Sequence, residues 1–182
     1  MRPRAFGILA VVFGLALALA LTAPAQSFDL AAGGGGAAGS GIGGAWAGIN
    51  ATTMVAPVFG FNAEFFGRAA AVNGPNYRPL LLSANAVLRA PVAWKPELDL
   101  GLAAMRAAPP GCANCVPLVP ASYEAAQWHV GGHFGLGLTR SVAPHTFVRL
   151  FYDQFLTGFY NGSPSLHPAL FTVMLGFHFG VF

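Results

Sequence analysis

From Val58 to Ala69 the chain alternates with a period of two. Phe59, Phe61, Ala63, Phe65, Gly67 and Ala69 share one parity, while Gly60, Asn62, Glu64, Phe66 and Arg68 share the other. Both charges fall on one face. Successive side chains of a strand point to opposite sides, so this segment is written for a sheet with one apolar and one polar surface. The pattern recurs along the chain. Leu82, Ala84, Ala86 and Leu88 alternate with Ser83, Asn85, Val87 and Arg89, in a strand running from Leu82 to Ala90. Leu98, Leu100 and Leu102 alternate with Glu97, Asp99 and Gly101. Between Trp128 and Arg140, the set Trp128, Val130, Gly132, Phe134, Leu136 and Leu138 alternates with Gln127, His129, His133 and Thr139. From Phe147 to Phe155, Val148, Leu150 and Tyr152 alternate with Arg149, Phe151 and Asp153, with Phe151 and Gln154 weakening the contrast.

Composition decides which face meets which medium. Charged residues make up 8% of the chain and hydrophobic residues 55%, whereas soluble domains carry roughly 25% charge. A polar exterior cannot be assembled from so few charges. An antiparallel barrel with lipid outside resolves the conflict, because its outer band is apolar and its backbone hydrogen bonds close on themselves. The Trp128 to Leu138 segment fits the band: about ten steps of about 3.3 Å, tilted near 40°, rise roughly 25 Å along the membrane normal. Trp128 and Arg140 then sit near opposite interfaces. A soluble lipocalin-like barrel would reverse the two faces, and alternation by itself does not separate the two.

The first residues hold Arg2 and Arg4, then an uncharged run from Ala5 to Leu21, then Ala23-Pro24-Ala25. These are the three parts of a secretory signal peptide, with cleavage expected after Ala25 and a single domain over residues 26–182. The excess positive charge lies mainly in this segment, so the remainder has no nucleic-acid footprint. Gly, Pro, Asn and Ser cluster between the strands. Their spans alternate in length: Val72 to Pro79 long, Pro91 to Pro96 short, Ala107 to Ser122 long, Ser141 to His145 short, Thr157 to Pro168 long. Bacterial barrels place short turns in the periplasm and long loops outside. Ala31 to Ala47 is nearly all Gly and Ala with little periodicity, and two strands, Phe28 to Gly36 and Gly41 to Thr52, are placed there to complete eight.

The closing segment, Phe171 to Phe182, carries Phe171, Val173, Leu175, Phe177 and Phe179 on one parity and ends on Phe182. An alternating aromatic strand with a terminal Phe resembles the assembly signal of outer-membrane barrels, here Phe177, Phe179 and Phe182. In length, strand count and C terminus, residues 26–182 resemble the small OmpA/OmpX-type family. The resemblance implies an all-β, closed, up-and-down transmembrane barrel in the bacterial outer membrane, with membrane lipid and the barrel assembly machinery as its partners. Phe182 shares parity with Gly180, His178 and Gly176 rather than with Phe179, so a bulge near Gly180 is expected to re-phase the end.

Inward positions supply Glu64, Arg68, Arg89, Asp99, Arg149 and Asp153, a near-balanced set of both signs. An eight-stranded barrel is just wide enough for side chains to fill, so these charges are expected to plug the lumen as a polar network. His129 and His133 have a spacing that chelates metal on a helix, but on a strand they lie roughly 13 Å apart. Ser83 with either histidine is the one nucleophile-base pairing available, and nothing in the sequence joins them. No catalytic residue, metal or cofactor is therefore expected. Cys112 and Cys115 lie in the longest predicted external loop, where export favours a short disulfide over a redox or zinc motif. Gly39, Gly41 and Gly44 match a dinucleotide fingerprint without the helix or acidic residue it needs; glycine there suits close backbone approach. Asn50-Ala-Thr and Asn161-Gly-Ser are formal sequons without context.

The expected role is thus non-enzymatic: a filled outer-membrane barrel serving envelope structure or contact with an extracellular partner through its loops. Tyr77, Tyr123, Phe159 and Tyr160 are the aromatic contact candidates. A narrow channel or small-ligand transporter and a lipid-modifying enzyme are the alternatives.

Overall fold

The computed structural model describes residues 27–38, 43–71, 79–107, 127–157 and 169–180. The leader, Cys112 and Cys115, the four aromatic loop residues and Phe182 lie outside the described residues. Eight strands follow one another: β1 (Ser27–Ala38), β2 (Gly44–Met54), β3 (Phe59–Ala71), β4 (Leu80–Arg89), β5 (Lys95–Ala107), β6 (Gln127–Ala143), β7 (Thr146–Thr157) and β8 (Ala169–Gly180). Each pairs antiparallel with its neighbour in sequence, and β1 pairs with β8, so the sheet closes into a barrel. The two strands expected in the Gly/Ala region are both formed.

β1 holds four consecutive glycines, Gly33 to Gly36, in a strand although glycine has no preference for that conformation. Pairing on both sides holds it there, from Ser27 against Met54 of β2 and Gly180 of β8 onward. The approach to β8 requires glycine. A Cβ on Gly33 would lie 2.1 Å from the carbonyl oxygen of Val173, and one on Gly35 would lie 1.6 Å from that of Phe171.

The side-chain parities are those the alternation predicts. On β8, Phe171, Val173, Leu175, Phe177 and Phe179 each stand more than half exposed on the outside, at 59%, 57%, 54%, 52% and 53%. Leu100, Leu102, Leu136 and Leu150 continue this outer belt. Glu64, Asp99, Arg149 and Asp153 are buried inside. A soluble ligand-binding barrel has the opposite polarity, and that arrangement is not formed. An outer surface of exposed Leu, Val and Phe around a charged interior suits hydrocarbon outside.

Connections 55–58, 90–94 and 144–145 gather at the rim that also holds the ends of β1 and β8, while 39–43, 72–79, 108–126 and 158–168 join strand ends at the other rim. Arg140 sits near the short-turn rim, with its guanidinium carbon 4.5 Å from the Trp94 ring centroid. That is a comfortable pairing for a membrane interface. Register shifts occur at Ala45/Trp46 and at Ser141/Ala143. The β1–β8 pairing runs in step from Ala169 through Gly180, so the bulge expected near Gly180 does not occur within the described residues.

Leu100 lies mid-strand on the outer face of β5, half exposed. Leu100→Arg is expected to destabilise the barrel in lipid vesicles by about 2–4 kcal/mol, the cost of a cation near the bilayer midplane. Urea titration of the vesicle-embedded protein reads this directly; a cost near zero would place that face in water.

Candidate functional site

The inward faces of all eight strands meet in one hydrogen-bonded polar cluster. At the short-turn end, Arg89 of β4 lies between Asp29 of β1 and Glu97 of β5. Its Nη1 is 2.6 Å from Asp29 Oδ2 and its Nη2 is 3.3 Å from Glu97 Oε2. Arg89 Nε also lies 3.2 Å from Glu97 Oε1, an ionic contact without hydrogen-bond geometry. Arg149 of β7 reaches Glu97 at 2.9 Å and Asp99 at 3.3 Å, both through Nη2. Thr139 of β6 donates to Glu97, and Asn62 of β3 donates to Asp99. His178 of β8 meets Asp29 Oδ1 through Nδ1 at 2.5 Å.

Higher in the lumen the cluster continues through amides. Asn85 Nδ2 donates to Asn62 Oδ1 at 2.7 Å and to Ser83 Oγ at 3.1 Å. His133 Nδ1 lies 2.6 Å from Asn85 Oδ1, and its Nε2 lies 3.0 Å from Asp153 Oδ1 and 3.8 Å from Glu64 Oε2. Glu64 accepts from Asn50 Nδ2 at 2.7 Å and from Ser83 Oγ at 2.8 Å, and Thr52 donates to Asn50 at 2.8 Å. The oxygens of Glu64 and Asp153 and a ring nitrogen of His133 all lie within 4.8 Å of one another.

Of the six inward charges singled out from sequence, Glu64, Arg89, Asp99, Arg149 and Asp153 come together in this cluster. Arg68 lies further along β3 toward the long-loop rim, half-buried beyond Phe66. Asp29, Glu97, His178 and the buried amides complete the set. Glu97, Asn62, Asn85 and Ser83 already stood on the inward parity. Asp29 and His178 belong to the β1–β8 seam, and the weak alternation of β1 gave them no partner. Ser83 and His133 do share the network, linked through Asn85, but the Ser83 hydroxyl donates to Glu64 rather than to an imidazole.

Phe151, the aromatic that blurred the pattern of β7, points inward over glycines of β6. A Cβ on Gly137 would meet its Cδ2 at 2.1 Å, and one on Gly135 its Cε1 at 2.5 Å. The ring fills the space those glycines leave, and the Arg149 guanidinium carbon lies 4.2 Å from its centroid. A buried cation thus gains a π face in addition to its carboxylates.

Toward the long-loop rim the lumen turns apolar. Trp46, Phe66, Leu81, Ala103, Met105, Phe155 and Leu170 pack in a buried cluster that continues through Ala31 and Met174 to Phe147 near the short-turn rim, and Phe155 stacks on His133 with centroids 4.8 Å apart. At the short-turn end a cavity of about 260 Å³, lined by Ser27, Met54, Pro57, Arg89, Pro91 and Lys95, opens onto the base of the ion-pair ladder.

By sequence, the chain matches no protein-family model and no curated protein. By structure it is similar to the N-terminal β-barrel domain of Pseudomonas aeruginosa OprF, with TM-score 0.61 and 14% identity over 85% of this chain and 98% of that one. It is also similar to Neisserial surface protein A, with TM-score 0.57 and 15% identity over 84% and 96% of the two chains. Similarity extends to the outer membrane protein OprG of Pseudomonas aeruginosa, with TM-score 0.52 and 12% identity over 86% and 97%. These are likenesses of fold, and they agree with the small outer-membrane barrel resemblance carried by the strand pattern.

Arg149 is buried against Glu97 and Asp99, so Arg149→Met takes the guanidinium from Asp99 and leaves Glu97 with Arg89 alone. Removing one partner of a buried ion pair costs about 3–5 kcal/mol. Urea unfolding from vesicles is expected to show a loss of that size for Arg149→Met, while Arg140→Met, at the exposed rim, costs under about 1 kcal/mol.

Proposed function

We propose that this chain is a bacterial outer-membrane barrel that acts as a closed, non-enzymatic platform rather than as a pore. In this reading the long connections at the rim opposite the β1 and β8 ends face the outside and carry its contacts. The observation that supports it is the filled lumen: an ion-pair and amide network joins all eight strands, and an apolar plug of Trp46, Phe66, Leu81, Met105 and Phe155 stands above it. An ion crossing such a lumen would have to displace buried, mutually paired charges and then pass a buried apolar layer. The barrier resides in packed side chains, not in a movable segment.

A filled lumen leaves two working surfaces, the lipid-facing belt and the loop rim. The belt anchors. Trp94 and Arg140 at one interface and the exposed Leu, Val and Phe of β5 to β8 hold the barrel at its depth. The contact role then falls to connections 72–79, 108–126 and 158–168, which contain Tyr77, Tyr123, Phe159 and Tyr160. Tyr suits a partly wet contact because it offers apolar area and a polar tip together.

In cells producing the full-length chain, the protein is expected in the outer-membrane fraction, with a band on SDS gels whose mobility changes on boiling. Purified barrel in planar bilayers is expected to give no discrete conductance steps at moderate voltage. Reproducible unitary steps would overturn the closed-platform reading. Recovery as a soluble protein with unshifted mobility would overturn the membrane assignment with it.

A further inference from the structure

Within the lumen network the hydrogen-bond directions are fixed from one end. Ser83 Oγ donates to Glu64 and so accepts from Asn85, while Asn62 presents its amide nitrogen to Asp99 and its Oδ1 to Asn85. Asn85 in turn donates to Asn62 and Ser83 through Nδ2, which leaves its Oδ1 facing His133 Nδ1 at 2.6 Å. His133 Nδ1 therefore carries the hydrogen. The other ring nitrogen, Nε2, is turned toward two carboxylates, 3.0 Å from Asp153 Oδ1 and 3.8 Å from Glu64 Oε2. A bare lone pair beside two carboxylates in a dry interior is strongly unfavourable, so a positive centre belongs between them.

We infer that Glu64, His133 and Asp153 form a binding site for one divalent transition-metal cation, zinc by the chemistry of the donors, which ties β3, β6 and β7 together across the lumen. One imidazole nitrogen with two carboxylates suits zinc, whereas calcium and magnesium take oxygen donors. Zinc bonds of about 2.0–2.2 Å put tetrahedral donor atoms roughly 3.4 Å apart. The donor atoms here already lie within 4.8 Å of one another.

Two further observations point to a cation. Asp153 is fully buried, and its second oxygen, Oδ2, has no hydrogen-bond partner although water cannot reach it. Buried groups in that condition call for an explanation, and a metal taking a further donor supplies one. The surroundings also have the form of a metal site's outer shell. Asn85 holds the tautomer and ring orientation of His133, while Asn50 and Ser83 hold the two oxygens of Glu64. His129, two inward positions further along β6, is not part of the set.

The test uses the full chain, folded into detergent or lipid with Zn²⁺ present, stripped of loose metal by brief EDTA treatment, and analysed for metal per heat-shifted barrel. About one zinc per folded chain is expected in the wild type and in His129→Asn, with at least tenfold less in Asp153→Asn and Glu64→Gln. Should those variants fail to fold, the wild type folded with Co²⁺ instead is expected to show visible d–d absorption and loss of the His133 Nε2 proton signal. Zinc retained equally by a folded Asp153→Asn variant would mean adventitious metal and overturn the site. So would a folded wild type that holds no zinc and no cobalt, with both His133 ring nitrogens protonated, because a proton would then be the positive centre.

Discussion

The closure of β1 on β8 is the constraint on which the rest depends. In hydrocarbon an unpaired backbone N–H or C=O costs several kcal/mol, so an open sheet edge cannot persist there and the last strand must find the first. That requirement explains why Gly33 to Gly36 form a strand against their own conformational preference, paired residue by residue with β2 and β8. It also explains the glycines themselves, since the β8 backbone approaches too closely at Gly33 and Gly35 to admit a Cβ.

Closure with eight strands creates a second problem, a narrow interior whose inward side chains must satisfy one another. The chain divides that interior. Near the short-turn rim the filling is largely ionic, with Phe147 packed on His178 beside it: Arg89 and Arg149 each meet two carboxylates, Thr139 donates to Glu97, and Asn62 donates to Asp99, whose Oδ1 has no hydrogen-bond partner. Near the long-loop rim it is aromatic and aliphatic, with Phe155 stacked on His133 at the boundary. Such a network stabilises only when its members are nearly all satisfied, because a half-paired buried charge is worse than an apolar core. The apolar cap helps by keeping water from competing for the hydrogen bonds below it.

Much of this was legible in the sequence because a period of two has one meaning for a sheet. The two faces of β3 to β8 follow from alternation, and the scarcity of charge then sets Glu64, Arg89, Asp99, Arg149 and Asp153 inward. Two kinds of information were not legible. Which inward residues touch depends on strand tilt and stagger around the barrel, so that Arg89 finds Asp29, sixty positions away in sequence. Phe151, which looked like noise on the polar face, reads correctly only beside Gly135 and Gly137 on the neighbouring strand. The same absence of side chains that erased periodicity from β1 hid the role of Asp29, the one charge that strand carries.

That charge accounts for how a strand with so little pattern keeps its register. A slip by one residue turns a strand's faces inside out. For β3 or β5 the penalty is plain, since Glu64, Glu97 and Asp99 would pass from the lumen to lipid. For the Gly-Ala portion of β1 the hydrophobic pattern specifies no register. Asp29 supplies the missing signal: directly opposite His178 in the β1–β8 pairing, it contacts that imidazole at 2.5 Å and Arg89 at 2.6 Å. A one-residue slip would carry its carboxylate outward and leave Arg89 with Glu97 alone. A two-residue slip would keep the face but displace the carboxylate by about 6.6 Å along the strand, beyond reach of both partners. The contacts of Asp29 with His178 and Arg89 therefore locate the seam, and the close approach of β8 at Gly33 and Gly35 adds a steric limit against slips that would bring a neighbouring alanine there.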